Sequence, residues 1–235
     1  MPDTAHNSTG PGRPLLILRE LGEHAPFTFL GAAAGLIGII LLRNITTSTA
    51  HGLFVLFHPA HVIFSAIVTA SLYKLRKRTS SLLGVIVVGY LGSVGIATLS
   101  DCVLPFFGEQ ILGVPVPSEG SIHGGHPAGL HIGFIEDWYI VNPAALVGIA
   151  MALVAPHTKL PHAIHIFLST FASVAHILMN MQAKLTIALL FGILVVLFIA
   201  VWVPCCVSDI VFPMLFVRGP DGSSQSTQRS CGHEH

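Results

Sequence analysis

Six long apolar stretches, at about 26–42, 51–73, 81–107, 138–156, 161–181 and 186–217, confine this chain to a lipid environment. Each is long enough for the ~20 residues that a helix needs to cross a bilayer. Only 9% of the residues are charged against 52% hydrophobic, and the mean hydropathy is +0.76, a balance foreign to a soluble domain of 235 residues. The sequence therefore predicts an all-α polytopic membrane protein with six transmembrane helices. The longest stretches exceed the hydrocarbon thickness and are expected to tilt or run past the interface.

Basic residues near the helix ends set the orientation, because cytoplasmic loops are enriched in Lys and Arg. With both termini inside, Arg13, Arg19, Lys74, Arg76, Lys77, Arg78, Lys159, Arg218 and Arg229 are cytoplasmic, and only Arg43 and Lys184 fall outside. The loop at about 108–137 has no Lys or Arg and carries Glu109, Glu119, Glu136 and Asp137. The expectation is a multi-pass protein of the cell inner membrane with both termini cytoplasmic. No apolar segment followed by a small-residue cleavage site opens the chain, so the first helix is expected to direct insertion.

The chain also contains itself twice. His58-Pro-Ala-His61-Val-Ile-Phe-Ser65-Ala-Ile-Val-Thr69 returns as His162-Ala-Ile-His165-Ile-Phe-Leu-Ser169-Thr-Phe-Ala-Ser173. Downstream of each, Ser100-Asp101-Cys-Val-Leu-Pro105 returns as Ser208-Asp209-Ile-Val-Phe-Pro213. Pro26 with Gly31 and Pro143 with Gly148 mark the first and fourth helices in the same way. Three helices per copy is an odd number, so the second copy enters the membrane from the opposite side: a 3+3 inverted-topology repeat, the plan of many secondary transporters. The organisation expected is a cytoplasmic segment 1–25, a first three-helix repeat 26–110, an extracytoplasmic His-containing loop 111–137, a second repeat 138–217 and a flexible cytoplasmic tail 218–235.

Helical spacing says what the repeated residues do. His51, His58, His61, Ser65 and Thr69 share one face of the second helix, and His162, His165, Ser169, Ser173, His176 and Asn180 share one face of the fifth. The second stripe runs for roughly 27 Å at about 1.5 Å per residue, nearly the hydrocarbon thickness, and must face a polar interior rather than lipid. Ser and Thr in such helices also serve as small packing groups bonded to their own backbone, the plainer reading for Ser65, Thr69, Ser169 and Ser173.

By depth, His58, His61 and Asp101, with His176 able to join, converge near the outer face. His162, His165, Asp209 and one of the adjacent Cys205 and Cys206 converge near the inner face. Imidazole and carboxylate suit divalent first-row ions such as zinc, iron, cobalt or nickel, and thiolate shifts the preference toward softer ones. Four cysteines at different depths give no disulfide framework. Cys102 fits a small buried hydrophobe as well as a ligand. His123, His126 and His131 lie in the outer loop, where they either collect ions or keep the loop soluble, and Cys231, His233 and His235 form a weak hook in the tail. Pro59, Pro105, Pro161, Pro204 and Pro213 flank the candidate ligands and are expected to free backbone carbonyls or make hinges.

The reading is an integral membrane transporter of divalent transition-metal cations, with zinc or another first-row ion as substrate or ligand, alternating between the outer and inner sites. A membrane-embedded zinc hydrolase acting on a lipid is the alternative, built on His58, His61, Asp101 and His176, and a haem-binding electron carrier ranks third. Membrane lipid is the other partner, and small residues along helices 1 and 3 permit close packing and leave homodimerisation open. No Walker A, GxGxxG or GxSxG sequence is present, and the Arg76-Lys77-Arg78 run is a topology signal, so no nucleic-acid partner is expected.

Overall fold

The structure, a computed structural model, describes residues 13–77, 80–114, 122–123, 126–127, 129–156, 159–181 and 184–207. Among these the chain is all-α apart from a two-residue antiparallel ladder, Ile122–His123 against His126–Pro127. The helices are α1 (Arg13–Leu42), α2 (Thr47–Arg76), α3 (Leu82–Thr98), α4 (Leu104–Ile111), α5 (Gly133–Glu136), α6 (Trp138–Val154), α7 (Lys159–Asn180) and α8 (Ile187–Cys206). A π-helical turn, Leu99–Val103, joins α3 to α4, so that Leu82–Ile111 is one apolar span. Among the described residues five spans are long and apolar enough to cross a membrane, and α6 is a shorter apolar helix of 17 residues.

Local chemistry fixes several boundaries. The hydroxyls of Thr46, Ser81 and Thr186 accept the backbone N–H groups of Thr49, Gly84 and Leu189 at 3.2, 3.1 and 3.2 Å, capping α2, α3 and α8. The segment expected to be a polar leader, 1–25, is already helical from Arg13. Pro26 lies inside α1, and the Thr28 hydroxyl donates to the His24 carbonyl at 3.1 Å. Likewise the third span runs through Ile111 rather than ending near 107, which moves Glu109 out of the loop and into the bundle. The last helix is described to Val207, and the expected stretch to 217 lies outside the described residues.

The π turn has an identifiable cause. Pro105 has no N–H to return to the carbonyl of Asp101, and the turn before it widens so that the Leu104 N–H reaches the carbonyl of Leu99. The widened turn carries Ser100, Asp101 and Cys102 into the centre of the bundle, all buried.

Large apolar side chains point out and polar ones in. Leu41, Leu83 and Phe191 are 75%, 71% and 67% exposed, whereas His58, His61, Asp101 and His165 are 0% exposed, the reverse of a water-soluble protein. The two polar-striped helices are central: α2 packs on α7, α6 and α3, and α7 packs on α2, α1 and α8, with α3 against α6 and α1 against α8. Exchanging α1, α2, α3 for α6, α7, α8 carries α2–α7 onto itself and each of the other neighbour pairs onto another of them. At residue level, Gly148 of α6 lets its backbone approach Ala66 and the carbonyl of Ile63 on α2, and Gly31 of α1 faces Thr170 on α7. Ala66 and Thr170 occupy matching positions of the duplicated HxxH segment.

The two ends of the bundle are distinct. Arg43, Asn44, Met181, Lys184 and Leu185 line a cavity of about 340 Å³, so the α1–α2 and α7–α8 connections meet at one end. At the other end, Lys74 Nζ donates to the Leu153 carbonyl at 2.6 Å, tying the exits of α2 and α6 together.

Candidate metal centre

His58 and His61 are one turn apart on α2, and Asp101 enters from the π turn. Nδ1 of His58 lies 2.9 Å and Nδ1 of His61 lies 2.7 Å from the same oxygen, Asp101 Oδ2. The other oxygen, Oδ1, has the Ser100 and Ser169 hydroxyls each at 2.7 Å. Ser173 anchors this arrangement, its hydroxyl facing the carbonyls of Ser169 at 2.9 Å and Ser100 at 3.1 Å. A carboxylate buried in a lipid-facing bundle requires such donors, because an unpaired charge there costs several kcal/mol.

The consequence for the histidines is a fixed orientation. With Asp101 holding both Nδ1 atoms, the nitrogen left on each ring is Nε2, which is buried and without a hydrogen-bond partner on His58 and on His61. In the His58/His61/Asp101 donor set it is therefore Nδ1 of each imidazole that lies beside the carboxylate oxygen, and an ion there would take the place of the protons they share.

A second set shares a member with the first. His165 of α7 stacks parallel on His61, with ring centroids 5.7 Å apart and planes 6° apart. His61, His165 and the thiol of Cys205 on α8 can each offer one donor atom with all three within 4.8 Å of one another, as can His58, His61 and Asp101. Two nitrogens and a sulfur form a softer donor set than two nitrogens and an oxygen.

The expected division into an outer and an inner cluster therefore does not hold as two separate places. His61, assigned to the outer set, touches His165, assigned to the inner one, because α2 and α7 face each other along their polar stripes. Of the nine residues singled out as ligands, His58, His61, Asp101, His165 and Cys205 lie in these two groups. His176 does not: its ring meets Phe54 edge-on at 6.0 Å, and its Nδ1 is 3.5 Å from Glu109 Oε1. His162 is in α7 and Cys206 in α8, but their side chains, and all of Asp209, lie outside the described residues. Cys102 packs with Phe54, Ala175 and Leu197 as a small core residue.

Two acidic positions were missed as site residues. Glu109 is 2% exposed inside the bundle, where Asn180 donates to its Oε2 at 3.0 Å. The signal was Asn180 itself, a polar stripe terminus that needs a partner. Asp137 precedes α6 and pairs with His131 at 2.7 Å. Burial would raise the Asp137 carboxyl, but the hydrogen bond and charge of His131, with smaller contributions from His51 and His58, outweigh it and hold the carboxyl below its ordinary range. The side chains of His123 and His126, in the short ladder, lie outside the described residues.

Gly133 closes the site from the loop side. A Cβ there would fall 2.6 Å from Cδ2 and 2.7 Å from Nε2 of His58, so only glycine lets the backbone of α5 rest against that imidazole edge. Comparison with known protein families, curated proteins and solved structures finds no match to this chain.

Proposed function

We propose that this membrane protein moves a divalent first-row transition-metal cation, zinc or a similar ion, across the bilayer. The observation that carries the reading is the shared histidine: His61 belongs both to the His58/Asp101 set and to the His165/Cys205 set. An ion held by one set can pass to the other by exchanging partners around a single imidazole. A static structural site has no use for adjoining incomplete sets, whereas a pathway needs sites that bind and release.

Alternating access is the accompanying part of the proposal. Its support is the exchange symmetry of the helix neighbours, the matched Gly31/Thr170 and Gly148/Ala66 contacts, and the face-to-face pairing of His61 with His165, which the duplicated segment places in register. The repeat equates Asp209 with Asp101 and so gives it the corresponding task for His162 and His165.

Purified protein in liposomes loaded with a metal-sensitive dye tests this directly. Wild type should show zinc or cobalt influx under an ion gradient, and His61→Ala should abolish it while remaining monodisperse in detergent. Undiminished flux through a folded His61→Ala protein overturns the proposal. The haem alternative, which takes its ligand pair from His61 and His176, gains no support from His176, whose ring meets Phe54 and whose Nδ1 lies 3.5 Å from Glu109 Oε1. A hydrolase would keep ion binding without flux and cleave lipid in the same vesicles.

A further inference from the structure

A second group of donors sits where α2 begins. His51 is two turns before His58 on α2, and His131, Glu136 and Asp137 come from the segment folded over that end of the helix. The His131 ring stands edge-on to His51 at 5.2 Å and to Phe54 at 5.1 Å. Its Nε2 is 2.7 Å from Asp137 Oδ2, and its Nδ1 is in a bent 2.7 Å ion-pair contact with Glu136 Oε2.

We propose that His51, His131 and Asp137 form a separate site for a divalent first-row cation, with Glu136 as the group that orients His131. The three residues can each bring one donor atom within 4.8 Å of the other two. His131 faces a carboxylate at each nitrogen, and it is Asp137 that lies beside His51, so Nε2 and Asp137 Oδ2 are the atoms turned toward a common ion. Glu136 Oε2, 2.7 Å from Nδ1 without a hydrogen bond to it, is the carboxylate placed to steer the ring. Zinc-type bonds of about 2.0–2.2 Å place two tetrahedral ligands roughly 3.3 Å apart, so the 2.7 Å pair needs to open by only about half an ångström.

Phe54 keeps this group distinct from the buried one. His58 stacks on its face at 4.9 Å and 13°, while His131 stands at right angles to it, centroids 5.1 Å apart. Unlike the buried set, the loop group has no sulfur. His51 is half-buried and Glu136 exposed, so an ion reaches it without crossing the bundle. The site stands whether or not the buried histidines conduct.

Cobalt(II) titration of the full chain in detergent tests it, because a cobalt–thiolate site gives a sulfur charge-transfer band that a nitrogen–oxygen site lacks. Wild type should show a cobalt-binding step with visible ligand-field absorption that persists in Cys205→Ser. His51→Gln and Asp137→Asn should each weaken that step by roughly tenfold or more. If both variants, monodisperse and with wild-type helical content, titrate like wild type in the Cys205→Ser background, the site does not exist. Should Asp137→Asn fail to fold, His51→Gln, a half-buried change on an intact helix, decides alone. A wild-type titration that shows this step but no thiolate band would count against the buried metal reading and leave this one standing.

Discussion

His61 and His165 lie face to face, their rings 5.7 Å apart and within 6° of parallel, one from each copy of the duplicated HxxH segment. The contact joins two donor sets that helix depth alone would keep apart, and it makes this pair the most sensitive point of the proposed pathway. Single His61→Ala and His165→Ala changes should each remove zinc-dependent flux, and the double variant should be no worse than either single one. Strict additivity in a double-mutant cycle would mean the two imidazoles act independently.

Asp101 is the keystone of the buried site, holding two imidazoles and accepting two hydroxyls. Asp101→Asn keeps the shape but cannot orient both Nδ1–H groups, and should weaken metal binding by about 10–100-fold. Asp101→Ala leaves two histidines and two serines facing nothing and should cost roughly 3–5 kcal/mol of stability, read by thermal unfolding in detergent.

Saturating ion should stabilise the fold. At a hundred times its dissociation constant, zinc should add about 2.7 kcal/mol to the unfolding free energy, reversed by chelator. In Asp101→Asn the shift should shrink by RT times the logarithm of the affinity loss. An unchanged shift would detach the ion from this site.

Glycine contacts position the histidines. Gly148→Ala puts a methyl 2.4 Å from the Ile63 carbonyl oxygen, forcing α6 off α2, and should cost on the order of 1–3 kcal/mol. Gly133→Ala collides with the His58 ring instead, so its larger effect should appear in metal affinity rather than in melting temperature. Equal melting shifts with unaltered binding would show that α5 does not press on His58.

Orientation can be read chemically. In a variant with the native cysteines replaced, Arg43→Cys and Lys184→Cys should react with a membrane-impermeant thiol reagent on intact cells, and Lys77→Cys only after lysis. The reverse pattern would turn the molecule over, with its histidine-bearing loop on the cytoplasmic side.

The apolar runs alone determined that this chain is a bundle of membrane helices, because nothing else satisfies a backbone in lipid; the 3.6-residue periodicity put His58 and His61 on one polar face, and the repeated Ser-Asp pair added Asp101 to the candidate ligands. The recurrence of HxxH and Ser-Asp was legible in the sequence, but not that His61 and His165 would stack. What the sequence could not decide was how the stripes meet: α2 and α7 face each other at the centre, which merges the expected outer and inner clusters through His61 and His165. Nor could it place Glu109, Asp137 or Gly133, whose roles depend on a helix running one turn farther, on a loop folding back over α2, and on an imidazole edge that leaves no room for a side chain. Periodicity reports which face of one helix is polar, a one-dimensional property. The partner that face meets is set by packing between distant segments, and only the tertiary structure carries it.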